Sequence, residues 1–364
     1  MADFFNQIES CTECGICGTT CPFSVVTGNN MYSPENKIKQ LFKVEKGEEL
    51  SQEEYDTIYL CSRCGACNDV CPENIDIMGI IQEERGLLAK QGREPAKTTH
   101  ISSNILKAYN PKGEVIEDRV ALWRTDDLEL SEDSPTAYMA GCWVSLANVS
   151  MAQDTIRILN KCGIRPRTIP EEKCCGLFLI DNGHIDEVRE YAEEYLDYLE
   201  SLGFETLLVS CPACYNVIGK FYEGLCRKPK FKVVHTLELF KSLYDEKKIR
   251  FSGDARGTVT IKDACPMTDM FDIPRELLTG MGYTIEESFD KKPFCCGAPG
   301  GAKPNYPEIA TDVLRFSMDK AKGMDALVSY CPFCLHNING LKAAESIDTE
   351  ALDLSHYIWK NMVR

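Results

Sequence analysis

The chain has 364 residues, of which 44% are hydrophobic and 26% charged, enough for about two or three domains that each bury a core. Acidic residues outnumber basic ones by 56 to 40, giving a net charge of −16. This balance argues against nucleic acid or an anionic membrane as a partner, because both require a basic surface. Neither a secretory leader nor an apolar run long enough to span a bilayer is visible. We therefore expect a cytoplasmic protein without a membrane span of its own, which reaches a membrane only peripherally, through a partner subunit.

Cysteine content is the unusual feature of the composition, with 20 cysteines in the chain. In a small secreted domain such a number indicates a disulfide framework. Here the chain is long and the cysteines are spaced as ligands. We therefore interpret most of them as reduced thiols that bind metal.

The first eight cysteines form two copies of the motif C-x2-C-x2-C-x3-C-P, the spacing of bacterial ferredoxins that hold two 4Fe–4S cubanes. Three thiolates of each copy wrap one cluster, and the fourth, followed by proline, ligates the neighbouring cluster. A zinc site is the alternative, but its paired CxxC knuckles do not need the third cysteine. The predicted ligand sets are Cys11, Cys14, Cys17 and Cys71 for one cubane, and Cys21, Cys61, Cys64 and Cys67 for the other.

Helical periodicity dominates the N-terminal part of the chain, at residues 34–46 and 51–60 between the two motifs and at 75–92 and 98–109 after them. The compact β-rich ferredoxin has little room for such an insertion. We therefore predict a helical ferredoxin-like domain over residues 1–110. The next stretch is rich in Pro, Gly, Asp and Glu, which predicts a linker over residues 111–135.

From residue 136 onward, short apolar runs alternate with amphipathic helices, which predicts parallel βαβ units and an α/β domain. This region also repeats itself. Each copy contains a cysteine, then Cys-Cys-Gly, then an apolar run that ends in Cys-Pro-x-Cys. The recurrence of order and spacing predicts two duplicated CCG repeats, over residues 136–255 and 256–364.

Each CCG repeat supplies five cysteines, one more than a cubane or a zinc ion needs. Adjacent cysteines are also awkward ligands for a single ion, since neighbouring side chains in an extended strand point apart. A larger or opened iron–sulfur cluster accommodates five thiolates, so we predict that these ten residues form the catalytic sites. The first set is Cys142, Cys174, Cys175, Cys211 and Cys214, and the second is Cys265, Cys295, Cys296, Cys331 and Cys334.

Taken together, the CCG repeats, the NPKGE segment at 110–114 and the double ferredoxin motif resemble the heterodisulfide reductase family, in its fused ferredoxin-like plus CCG form. The resemblance covers nearly the whole chain. It implies that each CCG motif binds a noncubane 4Fe–4S cluster through five cysteines. It also implies that the paired clusters cleave the disulfide of coenzyme M and coenzyme B. Some relatives have a cubane, zinc or an empty site in place of one of these clusters, and those alternatives stay open here.

Two functions are compatible with this pattern. The first is an enzyme, a reductase of a thiol disulfide in which two cubanes feed the paired CCG sites. The second is an electron-transfer subunit with no substrate of its own, in a complex with a flavoprotein of the 2-hydroxy-acid dehydrogenase or bifurcating type. No GxGxxG dinucleotide fingerprint is present. A partner is therefore expected in either case: a flavoprotein, a hydrogenase, a formate dehydrogenase or a cytochrome subunit.

Several residues outside the ligand sets have both a functional and a structural interpretation. A histidine near the sites could give a proton to a leaving thiolate, and a cation beside a ligand could raise a cluster potential. A glycine turn lets the backbone approach a cluster or substrate. We interpret the histidines as structural, the extra cysteines as free buried thiols and the cations as surface charges. The residues are His235, His336, Cys162, Cys226, Arg63 and Lys173, and the glycine turn is at 297–301.

Overall fold

The structure, a computed structural model, describes residues 2–289, 291–292 and 294–363. The chain divides into two compact units, each assembled from three separate segments. The predicted boundaries at residues 110, 135 and 255 divide the chain into continuous pieces, and they stay a prediction of its organisation. Unit 1 comprises Met1–Ser103, Phe178–Val188 and Pro293–Ser317, and unit 2 comprises Asn104–Leu177, Arg189–Lys292 and Met318–Arg364.

The N-terminal segment of unit 1 is helical, as the periodicity predicts. One helix shows why its start is well defined: Ser51 Oγ accepts from the Glu54 amide, and the Glu54 carboxylate accepts from the Ser51 amide. Short 3-10 turns at Asn30–Tyr32 and, further on, Val120–Leu122 complete this part. The helices are α1 (Ala2–Glu9), α2 (Ile16–Thr20), α3 (Pro22–Thr27), α4 (Pro34–Ile38), α5 (Leu41–Glu45), α6 (Gln52–Tyr59), α7 (Ala66–Val70), α8 (Ile77–Lys90) and α9 (Ala96–Ala108).

The predicted helix over residues 34–46 is interrupted, and this part of the prediction is wrong. A turn at Lys39 and Gln40 separates α4 from α5. Lys37, only 1% exposed, donates through its ammonium group to the Leu60 carbonyl. Ile38 and Leu41 on either side of the turn are both buried. Tertiary burial therefore overrides the local helical periodicity.

Strands and helices alternate from residue 136 onward, and the predicted strands are confirmed to within a residue at either end. The elements are β1 (Thr136–Met139), α10 (Cys142–Ala147), α11 (Val149–Lys161), β2 (Arg167–Thr168), α12 (Leu177–Asp181), α13 (Ile185–Ser201), β3 (Thr206–Val209), α14 (Pro212–Asn216), a π-turn (Val217–Phe221), α15 (Tyr222–Leu225), β4 (Lys232–His235) and α16 (Thr236–Asp245). The second half continues with β5 (Thr258–Lys262), a 3-10 turn (Thr268–Met270), α17 (Asp272–Met281), β6 (Thr284–Ile285), α18 (Ala302–Asn305), α19 (Pro307–Asp319), β7 (Ala326–Ser329), α20 (Pro332–Glu345), β8 (Glu350–Asp353) and α21 (Leu354–Asn361).

Unit 2 contains two four-stranded parallel sheets in its described residues, with strand orders β2-β1-β3-β4 and β6-β5-β7-β8. The registers match as well, because the last residues of the central strands pair, Met139 with Val209 and Lys262 with Ser329. Parallel strands connected by helices confirm the predicted α/β architecture. In this arrangement the carboxyl ends of neighbouring strands meet at one edge of each sheet.

One apolar core serves both sheets of unit 2, with Tyr138 and Leu208 from the first sheet and Val259 and Val328 from the second in the same buried cluster. The stretch predicted as a linker, residues 111–135, also contributes to it. Its Val120, Trp123 and Leu128 side chains are 6% exposed or less. A segment that buries a tryptophan is part of the domain, so the prediction of a linker is wrong for this stretch.

Candidate functional site

Two cavities in unit 1 are lined by the eight cysteines of the ferredoxin-like motifs. The first has an empty volume of about 350 Å³ and is lined by Cys11, Cys14 and Cys17 of one motif together with Cys71 of the other. The second, of about 370 Å³, is lined by Cys61, Cys64 and Cys67 together with Cys21. Apolar residues complete both linings, among them Ile38, Ile75, Ile81 and Phe23. The crossing arises because α2 and α7 each end before a cysteine in extended conformation, followed by proline.

The thiols that line these cavities fit a group larger than one ion. Four thiols around an apolar cavity are the donor set of a 4Fe–4S cubane. Among the described residues, no three His, Cys, Asp or Glu side chains converge on a position for a single metal ion. Burial, with a hydrogen bond to Glu35, raises the pKa of Cys17 to about 12. Burial also raises the pKa of Cys21 and Cys67. Loading such a site must therefore release protons, since the thiolate is the ligand.

Glycines with positive φ open both short helices that carry the motifs. Gly15 has φ 75° and Gly65 has φ 85°, and each precedes the third cysteine of its copy by two residues. An L-residue with a side chain is strained in this conformation. These glycines allow the chain to turn so that three thiols spaced by two residues reach one cavity.

A buried guanidinium lies beside the second cavity. Arg85, on α8, is 0% exposed. It donates to the carbonyls of Ile58, Tyr59, Cys61, Asp181 and Gly300, over distances from 2.7 to 3.4 Å. All of these acceptors belong to unit 1. One side chain therefore fastens the Cys61 backbone to the segments that follow both CCG pairs.

Arg63 is a second buried cation at this cavity, and its interpretation as a surface charge is wrong. Its side chain is 7% exposed and its Nε lies 3.1 Å from Oδ1 of Asp181, which is 6% exposed. Arg63 also donates to Gln82 at 2.7 Å. Burial raises the pKa of Asp181 to about 6, against the opposing effect of Arg63 and Arg85. The cavity of Cys61, Cys64 and Cys67 thus has more positive than negative charge around it.

The first CCG set lies within unit 2, and all five of its cysteines are buried. Cys142 begins α10 just after β1, and Cys211 follows β3 directly, so the two lie at the joined carboxyl ends of these strands. The Sγ atoms of Cys142 and Cys174 are 4.0 Å apart. Hydrogen bonds from the Cys142 and Cys175 thiols lower the pKa of Cys174, and the Cys174 contact raises the pKa of each of these two partners. Five thiols grouped in this way fit the donor set of the noncubane cluster.

Backbone close to the first CCG set is held by residues outside the motifs, which sequence reasoning missed. The hydroxyl of Tyr191 donates to the Cys174 carbonyl at 2.6 Å, and that of Tyr222 donates to the Cys175 carbonyl at 2.9 Å. The buried carboxylate of Glu172 accepts from the amides of Ala140 and Gly141, at 3.1 and 2.6 Å. A Cβ on Gly141 would lie 3.2 Å from Sγ of Cys214. The only sequence signal for this support is the amphipathic pattern of α13, which carries Tyr191.

Lys173, directly before the first CCG pair, also differs from the surface charge that the sequence predicts. Its ammonium lies 4.2 Å from the ring centroid of Tyr109, and Tyr191 and Tyr195 flank it at 5.9 and 6.0 Å. Its backbone amide donates to the Tyr195 hydroxyl at 3.0 Å. Three aromatic rings thus hold a cation beside the first CCG set.

The cysteines of the second CCG set belong to different compact units. Cys265 follows β5, Cys331 follows β7 and Cys334 lies in α20, the same positions at the sheet edge as in the first copy. These three belong to unit 2, and the adjacent pair Cys295 and Cys296, both buried, belongs to unit 1. A hydrogen bond with the Cys295 thiol, together with burial, raises the pKa of Cys64. Within unit 1, the second CCG pair therefore lies against a thiol of the second cavity.

The remaining candidates have structural surroundings. His235 is fully buried, and its Nδ1 accepts from the Leu237 amide as the N-cap of α16. Burial lowers its pKa to about 3, so the ring is neutral at physiological pH. His336 stacks on Trp143 with 4.7 Å between ring centroids. Cys162 and Cys226 are half-buried rather than fully buried, with thiols near the carbonyls of Lys248 and Tyr222.

Comparisons with known proteins agree with this arrangement. A 4Fe-4S dicluster domain matches residues 7–75, and a cysteine-rich CCG domain matches residues 136–219 and again 264–339. A subunit of the dihydromethanophenazine:CoB–CoM heterodisulfide reductase of Methanosarcina mazei is 29% identical, over 96% of this chain and 92% of its own length. A subunit of the fumarate reductase (CoM/CoB) of Methanothermobacter marburgensis is 24% identical, over 95% and 70% respectively.

Two further similarities extend the comparison. The EtfAB:quinone oxidoreductase of Syntrophomonas wolfei is 28% identical over 78% of this chain, which corresponds to 43% of that protein. The crystal structure of a hypothetical protein from Helicobacter pylori superposes with a TM-score of 0.55 at 13% identity, covering all of this chain and 75% of the other. That likeness concerns the fold alone.

A dicluster domain followed by two cysteine-rich domains defines an iron–sulfur oxidoreductase that carries 4Fe–4S clusters. Within that class, the chain belongs to the heterodisulfide reductase family, in the form that fuses the ferredoxin-like and CCG parts into one chain. In the part of the chain that the structure describes, no helix is both long and apolar enough to cross a bilayer.

Proposed function

We propose that this chain is the catalytic iron–sulfur subunit of a complex that reduces a thiol disulfide of the coenzyme M–coenzyme B type. The observation that carries the proposal is the combination of two four-thiol cavities in unit 1 with five buried thiols grouped at the sheet edge of unit 2. The relatives support the substrate class, because the names of two of them refer to both CoM and CoB.

The ligand sets follow the grouping of the thiols. We assign four cysteines to each of two cubanes and five to each of two noncubane clusters, with a cubane, zinc or an empty site at one CCG set as the alternative. Bound clusters of these kinds supply single electrons, and a disulfide requires two, so paired CCG sites suit the reaction. The equal strand order of the two sheets supports the view that the CCG units are copies of one ancestral repeat. The cubane sets are Cys11, Cys14, Cys17, Cys71 and Cys21, Cys61, Cys64, Cys67; the CCG sets are Cys142, Cys174, Cys175, Cys211, Cys214 and Cys265, Cys295, Cys296, Cys331, Cys334.

The chain itself contributes rigidity and charge to the first CCG site. Hydroxyl groups of Tyr191 and Tyr222 fix the carbonyls of the cysteine pair, and Glu172 fixes the turn that leads into Cys142. Such support around the ligands holds their geometry when electrons arrive. Lys173, held over Tyr109, adds a positive charge that favours an anionic substrate at this site.

An electron-transfer role without a substrate is the second candidate. The similarity to EtfAB:quinone oxidoreductase favours it, because 78% of this chain aligns with part of a protein whose name pairs a flavoprotein with a quinone. Under this alternative a flavoprotein partner does the chemistry and the CCG sites serve as relays. In both cases we expect a donor subunit, which is a flavoprotein, a hydrogenase, a formate dehydrogenase or a cytochrome, and attachment to a membrane only through that partner.

A direct test uses the full-length chain, loaded with iron and sulfide under anaerobic conditions and reduced with dithionite. The coenzyme M–coenzyme B disulfide is added, and the released thiols are counted while the electron paramagnetic resonance spectrum is recorded. We expect two thiols per disulfide and oxidation of the cubane signals. Cys296→Ser should abolish thiol release and leave the cubane spectra intact, whereas Cys162→Ser, outside every motif, should behave as the parent protein.

Two results would contradict the reductase function. Fully reduced protein that releases no thiol, but passes electrons to a flavoprotein or a quinone, would favour the relay. Loss of the cubane spectra in Cys296→Ser would show that the cubanes and the catalytic site are not separable as proposed.

A further inference from the structure

The second CCG pair lies in the same compact unit as the ferredoxin-like helices. Cys295 and Cys296 are buried in unit 1, whereas Cys174 and Cys175 belong to unit 2. The Cys295 thiol is close enough to that of Cys64 for a thiol–thiol hydrogen bond. A thiol of the second cavity and a thiol of a CCG pair are therefore neighbours across 231 residues of sequence.

Polar contacts fasten this meeting point. The two terminal nitrogens of Arg85 divide between the segments: Nη2 donates to the Cys61 carbonyl at 2.7 Å, and Nη1 donates to the Gly300 carbonyl at 2.8 Å. Because the guanidinium is planar and rigid, these two bonds fix the distance between the cubane motif and the turn after the second CCG pair. Apolar packing supports the same contact, since Cys21, Leu60, Ala302 and Val313 share one buried cluster.

Gly300 is required at this point for steric reasons. Its φ is +64°, and a Cβ built on it would lie 2.7 Å from the Cys61 carbonyl oxygen and 3.2 Å from Nη1 of Arg85. Any side chain at position 300 must therefore push the turn away from Cys61. Gly28 has the same φ of +64°, and a Cβ on it would have no atom within 4 Å, so it provides a matched control for backbone strain alone.

We propose that electrons leave the cubane site of Cys21, Cys61, Cys64 and Cys67 through the Cys64–Cys295 contact and enter the second CCG site first, with Gly300 as the positioning residue for this transfer. The proposal rests on the proposed function, since it needs metal clusters at both sites. In each step the cubane site is oxidised by one electron and the CCG site is reduced by one, and no bond or proton changes place. The second CCG site is then the point of entry, and the first is reached after it.

Cysteine variants test the order of entry. In the iron-loaded full-length protein, a reduced cubane next to another paramagnetic centre shows enhanced spin relaxation in the electron paramagnetic resonance spectrum. Cys295→Ser should remove this enhancement from the cubane of the Cys61 motif, and Cys174→Ser, the matching residue of the first pair, should leave it in place. The reverse result would overturn the proposal, and an equal effect of both variants would overturn it as well.

Gly300→Ala tests the positioning role, with Gly28→Ala beside it. After reduction by substoichiometric dithionite and rapid freezing, electrons should reach the CCG sites of Gly300→Ala more slowly by about tenfold or more, because misplacements near 1 Å cost reacting groups on this order. Iron content and both cubane spectra should match the parent protein. Equal transfer rates in the two variants would overturn the role of Gly300. If Gly300→Ala does not load iron, the cysteine pair above decides the order of entry.

These outcomes are separate from those of the proposed function. A protein that passes electrons in the expected order but releases no thiol from the disulfide retains the inference and loses the reductase function. A protein that cleaves the disulfide but shows enhanced relaxation only with the first pair intact does the opposite. A protein that takes up no iron at the CCG sites overturns both.

Discussion

The two CCG pairs have the same three-residue motif in different surroundings. Hydroxyl groups of two tyrosines hold the carbonyls of Cys174 and Cys175, and a lysine among three aromatic rings precedes them. The Cys295 thiol instead meets a cubane thiol, and the turn that follows the pair is fastened by Arg85. Identical ligands therefore do not imply identical roles. The surroundings suit the first pair to a fixed substrate-facing site and the second to electron entry.

A second difference lies at the ends of the equivalent strands β4 and β8. Each ends in a residue that caps the next helix: His235 Nδ1 accepts from the Leu237 amide at 3.1 Å, and Asp353 Oδ2 accepts from the Ser355 amide at 2.8 Å. Burial lowers the pKa of His235 to about 3 and raises that of Asp353 to about 7. Burial thus favours the neutral form of both groups, one by losing a proton and the other by keeping it.

Replacing Arg85 should have the largest effect, because this residue serves the segments after both CCG pairs. Arg85→Met leaves carbonyls of Cys61, Asp181 and Gly300 without their donor in a buried site. We expect the free energy of unfolding to fall by about 3–5 kcal/mol, since each orphaned buried acceptor costs about 1–3 kcal/mol. Urea denaturation of the anaerobic protein measures it. The control is Lys90→Met on the same helix, whose exposed ion pair with Asp186 is worth about 0–1 kcal/mol. Similar losses in both variants would refute the role of Arg85 as a tie between segments.

The pH dependence of stability should differ between the two capping positions, beginning with Asp353. Its pKa is raised from about 4 in the unfolded chain to about 7 in the folded one. The protonated carboxyl therefore favours folding below about pH 4, and this contribution is lost as the pH rises through 7. Asp353→Asn keeps an acceptor for the Ser355 amide and should remove this alkaline loss. Urea midpoints from pH 4 to 8 measure it, with the exposed Asp245→Asn as the control. A parallel pH profile for Asp353→Asn and the parent protein would contradict this assignment.

His235 should act in the opposite direction. Its pKa is lowered from about 6.5 in the unfolded chain to about 3 in the folded one. The neutral ring therefore stabilises the fold above about pH 6.5, and the contribution is lost as the pH falls toward 3. His235→Asn retains a capping side chain and should flatten the acid limb, at the cost of a uniform loss from the missing contacts with Tyr215 and Tyr330. The exposed His100→Asn is the control. An unchanged acid limb in His235→Asn would show that the ring is not the group that titrates.

Regular patterns in the sequence predict the parts of the fold that depend on local order. The strands β1, β3, β5 and β7 are predictable because short apolar runs between helices leave few alternatives. The α/β class follows from their alternation with helices. The family is recognisable for a similar reason, because cysteine spacing is fixed by the cluster that the cysteines bind.

Contacts between residues far apart in sequence are not predictable in the same way. Arg85 meets Gly300, and Tyr222 meets the Cys175 carbonyl, without any periodic signal that links them. Arg63 has the sequence context of a surface charge because its partner Asp181 lies more than a hundred residues away. The 111–135 stretch has the composition of a linker because its one buried tryptophan is outnumbered by polar neighbours. Each of these errors concerns a residue whose neighbours are set by packing.

Removing one hydroxyl from the first CCG site should have the smallest effect and the most local one. Tyr191→Phe keeps the ring but leaves the Cys174 carbonyl without its 2.6 Å donor. We expect a loss of about 1 kcal/mol in the free energy of unfolding, the usual net value of one hydrogen bond. The control Tyr109→Phe, at a residue 40% exposed whose ring still lies under Lys173, should change stability by less than about 0.5 kcal/mol.

The spectrum of the same Tyr191→Phe variant tests whether the two pairs are independent. A hydroxyl that supports only the Cys174 backbone should alter the signal of the first CCG site and leave the cubanes and the second CCG site unchanged, because support around a ligand acts on the metal it binds. Electron entry at the second site should then proceed at the parent rate in freeze-quench measurements. A change at both CCG sites would mean that the tyrosine network reaches across the two copies, and the contrast between a fixed first pair and an electron-accepting second pair would not hold.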